Sequence, residues 1–305
     1  MTRRPVDHLP LFFKGAAMGV ADTVPGVSGG TVAFITGIYE ELIQSLARIG
    51  PERISDFKEH GLRGLWYAIN GNFLLAVFSG LLIALFSVAE VMNWLIGHHR
   101  VLLWAFFFGM IAASVPVVLM RRRQRRPGHW LWLGLGAAFG LAITLLGGGQ
   151  TPDALWMVFI AGMIAISAMV LPGISGSFLL LVLGQYEVMV RAVVERDLLM
   201  ICTFALGAVI GLLSIARLLS KLFHRHHDAT IALLTGFMVG SLNALWPWQG
   251  PADAGIGPRG HMLPFQFELL TGQPGQAVAA VLCCAAGIAL VVLFARLDPT
   301  ARPGR

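Results

Sequence analysis

The sequence predicts an all-α polytopic membrane protein built as an inverted-topology repeat, each half a re-entrant helical hairpin followed by three transmembrane helices. An apolar composition, an internal repeat and an uneven distribution of basic residues predict this fold class. Of the 305 residues, 56% are hydrophobic and 12% are charged, whereas a soluble domain has roughly 45–50% apolar and about 25% charged residues. Apolar runs such as 73–91, 101–120 and 198–219 approach the length of about 20 residues that a helix needs to cross a bilayer.

The net charge of +6 does not indicate a nucleic-acid partner. Lys and Arg occur in short clusters between apolar runs, which is the pattern of membrane topology signals, and not along one amphipathic face. The cysteines Cys202, Cys283 and Cys284 lie within apolar runs and lack metal-ligand spacing, so we expect them to pack as small apolar residues. No metal site and no cofactor are therefore expected.

The internal repeat is clearest in a Pro-Gly-x-Ser-Gly motif. Residues 25–40 align without gaps to 172–187 at an offset of 147, with Pro, Gly, Ser, Gly, Gly, Tyr and Glu identical. A weaker match continues at an offset of 127, through the pairs Gly80–Gly207, Ser87–Ser214, Gly109–Gly236 and Ser114–Ser241. Such self-similarity at a fixed offset indicates two copies of one structural unit.

Each motif lies in a predicted hairpin. The first, 11–46, has about 36 residues and would be roughly 54 Å long as one helix, well beyond the hydrocarbon core of about 30 Å. Pro25 and the glycines that follow it break the segment near its middle. We therefore expect two helical arms that enter and leave on the same side, and the same arrangement over 154–194.

Three crossings are expected after each hairpin. The first repeat, 1–150, would hold helices 70–91, 101–120 and 130–147, and the second repeat, 151–305, helices 198–219, 229–246 and 275–295. Because three is odd, the second hairpin must enter from the opposite side. The basic residues give the orientation independently, since the segments that would face inside hold 18 Lys and Arg residues and those outside hold four. Both termini are therefore predicted to be cytoplasmic.

The motif segments carry the chemistry that suits an anion. Backbone that leaves helical geometry at membrane depth exposes N–H groups, and the start of the following helix adds partial positive charge. The candidate phosphate-binding residues are Gly26, Ser28, Gly29, Gly30 and Thr31 in the first copy and Gly173, Ser175, Gly176 and Ser177 in the second. The alternative is that the glycines only make a tight turn and that each serine is a helix N-cap. Two copies related by symmetry favour a shared binding site.

Several polar residues flank these motifs. The candidates for ion coupling or head-group contact are Lys14, Asp22, Tyr39, Glu40, Tyr186 and Glu187. Asp22 is costly in an apolar segment unless it is paired or functional. Lys14 would either neutralise a phosphate or extend to the inner surface. Each Tyr-Glu pair would either anchor the hairpin at the interface or couple transport to a proton or cation.

The segments Met18-Gly-Val-Ala-Asp-Thr-Val-Pro-Gly-Val-Ser-Gly-Gly-Thr and Leu171-Pro-Gly-Ile-Ser-Gly-Ser-Phe resemble the bacterial polyprenyl-phosphate transporter family, the PopT-like undecaprenyl-phosphate translocases formerly grouped as a domain of unknown function. The resemblance runs over nearly the whole chain. It implies a transporter in the bacterial plasma (inner) membrane that returns the lipid carrier of cell-wall synthesis to the inner leaflet. It also implies that the two Ser-Gly segments, 28–31 and 175–177, are the signature positions.

The sequence suggests three alternative functions. Both Gly-x-Ser-Gly sequences fit the nucleophile loop of an intramembrane serine protease acting through Ser28 or Ser175, but the predicted crossings contain no histidine to serve as the base. The histidines instead fall in predicted loops or helix ends, where we expect the run His224, His226 and His227 to be solvated. A lipid phosphatase lacks a clustered acid, base and nucleophile. A small-anion transporter remains the closest alternative, and the protein is predicted not to be an enzyme.

Overall fold

The structure is a computed structural model that describes residues 8–24, 26–122, 124, 126–146, 149, 151–250 and 260–297, with the backbone only at 54, 56 and 57. The described part contains helices and no strand, which confirms the all-α part of the prediction, while the inverted repeat stays a prediction. The helices are α1 (His8–Asp22), α2 (Gly29–Ile35), α3 (Tyr39–Ala47), α4 (Ile54–Ala68), α5 (Gly71–His98), α6 (Arg100–Met120), α7 (His129–Leu145), α8 (Leu155–Val170), α9 (Gly176–Val182), α10 (Tyr186–Glu195), α11 (Leu198–Ser241), α12 (Pro264–Thr271) and α13 (Ala277–Leu297). Pro25 and the basic residues at both chain ends lie outside the described residues.

Four helices in the described ranges are long and apolar enough to cross a membrane: α5, α6, α11 and α13. The bent pair α9 and α10, with 105° between its helices, raises the number to five if it counts as one span. Helices α7 and α8 are apolar but shorter, at 17 and 16 residues. These helices are consistent with a polytopic membrane protein.

The chain divides into two compact units, and neither coincides with a predicted repeat. The first unit comprises Met1–Val88 and Gly148–Thr230, and the second comprises Ala89–Gly147 and Ile231–Arg305. Both motif segments therefore fall in the first unit. The repeat boundary at 150 divides the chain in another way and stays a prediction.

Small residues set the helix packing in the first unit. A Cβ atom placed on Gly80 of α5 would lie 2.0 Å from the carbonyl oxygen of Phe12 in α1. A Cβ atom on Gly207 of α11 would lie 2.1 Å from the carbonyl oxygen of Phe159 in α8. Both contacts require glycine, because a larger residue would collide with the neighbouring backbone. In lipid no hydrophobic driving force holds helices together, so such close packing stabilises their association.

Glycines also allow close helix packing in the second unit. A Cβ atom on Gly109 of α6 would lie 2.2 Å from the carbonyl oxygen of Cys284 in α13, and one on Gly236 of α11 would lie 2.2 Å from that of Leu133 in α7. A hydrophobic core of this unit lies between α6, α12 and α13. It is formed by Val101, Ala105, Trp248, Met262, Phe267 and Ala280.

Helix α11 contains a break between the two crossings expected at 198–219 and 229–246. Its 44 residues are interrupted at His226, whose φ of −141° and ψ of 53° are not helical and mark a kink between two helical parts. The sequence around this residue contains neither Pro nor Gly. One straight helix of this length would extend roughly 66 Å, well beyond the hydrocarbon core of about 30 Å, and the kink divides it. Helices α4 and α12 lie in segments where no helix was expected.

Candidate functional site

The first motif forms a sharp turn between α1 and α2. Gly26 adopts φ 91°, in the left-handed region that glycine occupies without strain. Ser28 is the N-cap of α2, and its hydroxyl oxygen accepts from the Gly30 N–H at 3.1 Å. The Gly29 N–H donates to Oδ1 of Asp22 at 2.6 Å. The carboxylate of Asp22 therefore occupies the position that an anion would take at this turn.

The second motif forms the corresponding turn between α8 and α9. Gly173 adopts φ 87°, and Ser175 is the N-cap of α9. The Ser175 hydroxyl lies 2.9 Å from the Ser177 hydroxyl and accepts from the Phe178 N–H at 3.5 Å. The serines thus are N-caps in both copies, as one of the two interpretations of the motif predicted.

We call the two turns tip 1 (residues 26–31) and tip 2 (residues 173–177). They contact each other inside the first unit. The Ser28 hydroxyl donates to the Met169 carbonyl oxygen at 2.7 Å. The Gly173 N–H donates to the Thr31 hydroxyl at 2.8 Å. Ser28 and Thr31 are both 0% exposed. Residues 141 and 142 positions apart in the chain are thus joined by direct hydrogen bonds.

The two tips differ in exposure. Gly30 of tip 1 is buried, and a Cβ atom there would lie 2.4 Å from the Val170 carbonyl oxygen. Ser177, at the equivalent position of tip 2, is exposed. The backbone N–H groups of Gly176 and Ser177 have no acceptor among the described residues. In this conformation the donors of tip 1 are engaged within the protein, whereas tip 2 has one exposed residue, Ser177, beside the buried Gly176.

Lys14 lies at the far end of α2 from tip 1. Its Nζ donates to the Thr36 carbonyl oxygen at 2.7 Å, where α2 ends. In the second copy the corresponding carbonyl, that of Leu183, accepts from the Thr151 hydroxyl. Lys14 therefore satisfies a helix C-terminus, a role that Thr151 fills in the other copy and that neither interpretation of Lys14 had anticipated.

The two Tyr-Glu pairs lie in different surroundings. Tyr39 is 1% exposed, whereas Tyr186 is 40% exposed and Glu187 is also exposed. Glu40 lies beside α11, with its Oε1 atom 3.0 Å from Nε2 of His227. The symmetry of the sequence at these positions is therefore not matched by a symmetry of environment.

Sequence reasoning missed His227, which we expected to be solvated. Its side chain is 16% exposed, and its Nδ1 atom lies 3.1 Å from Oδ1 of Asp228. Its ring also packs at 5.9 Å from that of Phe223, next to the break at His226. The run of histidines followed by an aspartate was the available signal, but only the packing of α3 beside α11 brings His227 to Glu40.

The serine hydroxyls have no arrangement for nucleophilic catalysis. In the described ranges, Ser28 donates to a backbone carbonyl and Ser175 bonds to Ser177, with no histidine at either. In the same ranges, no three His, Cys, Asp or Glu side chains lie close enough together to hold a metal ion. The geometry is that of hydrogen-bond donors gathered at two helix starts.

Comparison with known proteins agrees with the resemblance in the motifs. Residues 18–262 match the model of a family described as undecaprenyl phosphate translocase-like. A polyprenyl-phosphate transporter of Vibrio cholerae serotype O1 is 41% identical over 300 residues, 96% of this chain and 97% of that protein. A polyprenyl-phosphate transporter of Staphylococcus aureus is 34% identical over 252 residues, 77% of this chain and 84% of that protein. No solved structure matches the chain.

The family and both relatives are named as transporters and not as enzymes, which confirms the prediction that this chain is not an enzyme. The transporter relatives and the apolar helices together support an integral membrane protein. Because the family match and the identity to the Vibrio protein both cover most of the sequence, the chain belongs to the undecaprenyl phosphate translocase-like family.

Proposed function

We propose that the protein moves undecaprenyl phosphate, or a related polyprenyl phosphate, between the leaflets of the bacterial plasma membrane and so recycles the carrier lipid of cell-wall synthesis. The names of the relatives support the lipid class. The observation that carries the mechanism is a pair of hydrogen bonds: one between the tips, from Gly173 to Thr31, and one from Ser28 of tip 1 to Met169 near the end of α8, which leads into tip 2.

A phosphate monoester can replace these bonds one for one. The Ser28 hydroxyl and the Gly173 N–H are donors, and a phosphate oxygen is a stronger acceptor than the carbonyl and hydroxyl oxygens that they now contact. The exposed hydroxyl of Ser177 and the amides of Gly176 and Ser177 add donors at tip 2. Separation of the tips then exchanges hydrogen bonds and does not leave buried donors unpaired, which would cost about 1–3 kcal/mol each.

The prenyl chain needs no polar path. It stays in lipid while only the head group crosses, so a polar groove that is open sideways to the bilayer is sufficient. Asp22 competes with the head group for the donors of tip 1, since its carboxylate already accepts the hydrogen bond from the Gly29 N–H at 2.6 Å. We therefore infer that the head group enters at tip 2 and that Asp22 must move or lose its charge before tip 1 can contact a phosphate.

Alternating access by an inverted repeat would expose the tips to each side in turn. The recurrence of helix contacts supports this part of the proposal. The contact of Gly80 with Phe12 recurs at Gly207 with Phe159, where each residue is shifted by the offset of its segment, 127 or 147. The orientation with both termini cytoplasmic comes from the distribution of Lys and Arg.

The test is translocation of labelled undecaprenyl phosphate in proteoliposomes by the parent protein and by Ser28→Ala with Ser175→Ala. Loss of two donors to a charged group would slow translocation by about tenfold or more, since each such bond contributes roughly 1.5–3 kcal/mol. Ser79→Ala is the matched control, because its hydroxyl bonds only within α5, to the Ala76 carbonyl at 3.1 Å.

Translocation at the parent rate by the double variant would remove the tips from the mechanism. Release of inorganic phosphate from the lipid would indicate an enzyme. Uptake of sulfate without movement of lipid would instead indicate a small-anion transporter, the remaining alternative.

A further inference from the structure

The second unit contains a polar cavity that the tips do not explain. It has a volume of about 860 Å³ and lies where α5 and α12 end and α6 and α13 begin. Its polar lining includes His98, His99, Arg100, Gln249, Gln273 and Gln276. Among the described residues that line it, Arg100 is charged and none is Asp or Glu, so this described lining is positively charged.

Arg100 is the cation of this cavity. Among the described residues no carboxylate pairs with it, and its guanidinium lies 5.1 Å from the centre of the Trp104 ring. Stacking on an aromatic ring fixes the plane of a guanidinium and leaves its N–H groups free to bind a bidentate acceptor. Nδ1 of the neighbouring His99 is buried and has no hydrogen-bond partner in the described part of the chain. An anion with several acceptor oxygens would satisfy both groups.

We expect the cavity to lie at the depth of lipid head groups because of the tryptophans beside it. Trp246 and Trp248 flank the lining residue Pro247, and their indole N–H groups donate to the backbone carbonyls of Met262 and Gly275 at 2.9 and 2.7 Å. Tryptophan is enriched where a membrane meets water. Phe265 and Leu269 of α12 are 70% and 68% exposed. A ligand here can therefore keep its head in the cavity and its chain in lipid.

We propose that this cavity binds a phosphate monoester through Arg100 and His99, and that its occupant is the head group of a prenyl lipid. The choice of a prenyl lipid over free phosphate rests on the proposed function, whereas the phosphate chemistry rests on the cavity alone. The volume exceeds what a phosphate group fills and accommodates the first isoprene units. The distribution of Lys and Arg assigns this end to the outer side, so the cavity would collect the lipid before the tips do.

Photo-cross-linking of the detergent-solubilised full chain tests the proposal, with a diazirine-tagged farnesyl phosphate as the probe. Cross-links are expected in the peptide that contains residues 96–104, and Arg100→Gln should reduce their yield by about tenfold, in line with loss of a charge-assisted contact. Arg100→Lys keeps the charge but lacks the planar guanidinium, so it should recover only part of the yield. Arg191→Gln is the matched control, since this exposed arginine lies 3.6 Å from Asp153 in the other unit.

The outcomes separate this inference from the proposed function. Cross-links at the tips without any at 96–104 would overturn the cavity as a site and leave the tips intact. Cross-links at 96–104 that survive in Arg100→Gln would equally overturn it. Competition by unlabelled farnesyl phosphate, and not by farnesol or by inorganic phosphate at the same concentration, is expected. Equal competition by inorganic phosphate would overturn the lipid as the occupant.

Discussion

Single residues decide whether the two tips can meet. Gly26 and Gly173 take positive φ values, which only glycine adopts without strain, at the turn that the Pro-Gly-x-Ser-Gly motif predicted. The N-cap serines agree with the alternative interpretation of the motif. It could not predict that Asp22 would accept the Gly29 N–H, because that contact depends on the angle at which the chain turns between them. The partner of Lys14, a carbonyl 22 residues away, depends on the same turn.

Gly30 gives the prediction at this scale. A Cβ atom in Gly30→Ala would lie 2.4 Å from the Val170 carbonyl oxygen. Tip 1 must therefore shift away from the end of α8, which leads into tip 2. We expect a fall in the melting temperature that corresponds to about 1–3 kcal/mol, as for overpacking of a core, together with slower lipid translocation. Gly134→Ala is the control: open space surrounds this glycine within α7, and alanine there should stabilise the helix by about 0.5–1 kcal/mol. Equal melting temperatures for the two variants would contradict the packing described.

At the scale of helices, the apolar runs predicted the positions of the crossings. Expected crossings at 101–120, 130–147 and 275–295 correspond within a few residues to α6, α7 and α13. The run of Lys, Arg and His between the crossings expected at 198–219 and 229–246 contains the kink of α11 at His226, although neither Pro nor Gly is present there. Helix α12 was missed because it is only eight residues long.

The contact between α3 and α11 gives a prediction for this scale. His227→Gln removes an imidazole that bridges Glu40 and Asp228, at 3.0 and 3.1 Å. We expect α3 to loosen by about 1 kcal/mol, the contribution of one hydrogen bond, and amide hydrogen exchange over 39–47 to become several-fold faster. His224→Gln is matched to it, because the ring of this exposed histidine bonds only to the Ser220 carbonyl of its own helix. Unchanged exchange in His227→Gln would mean that the bridge does not hold α3.

At the scale of the whole molecule, the sequence predicted the family and the membrane class, and it predicted that the motif segments approach each other. It did not predict that both motif segments would share one compact unit with parts of α5 and α11. Sequence similarity between two copies identifies equivalent residues, but which copy each helix packs against depends on side chains along whole helix faces.

The orientation in the membrane can be checked with two matched glycines. Gly97 and Gly128 both have open space where a side chain would extend, and the charge count assigns them to opposite sides. In intact spheroplasts a membrane-impermeant maleimide should label Gly97→Cys and not Gly128→Cys. In inverted vesicles the pattern should reverse. Labelling of both variants from the same side would contradict the inverted repeat.

The central claim is that the tip amides bind a phosphate: the Gly173 N–H exchanges the Thr31 hydroxyl for it, and the Gly176 N–H, which has no acceptor among the described residues, gains one. Amide resonances of ¹⁵N-glycine-labelled protein in nanodiscs, titrated with farnesyl phosphate, test it most directly. We predict that the Gly173 and Gly176 resonances shift with farnesyl phosphate but not with farnesol, while that of Gly134 stays in place. Resonances at Gly173 and Gly176 that do not move, or that move equally with farnesol, would contradict the account.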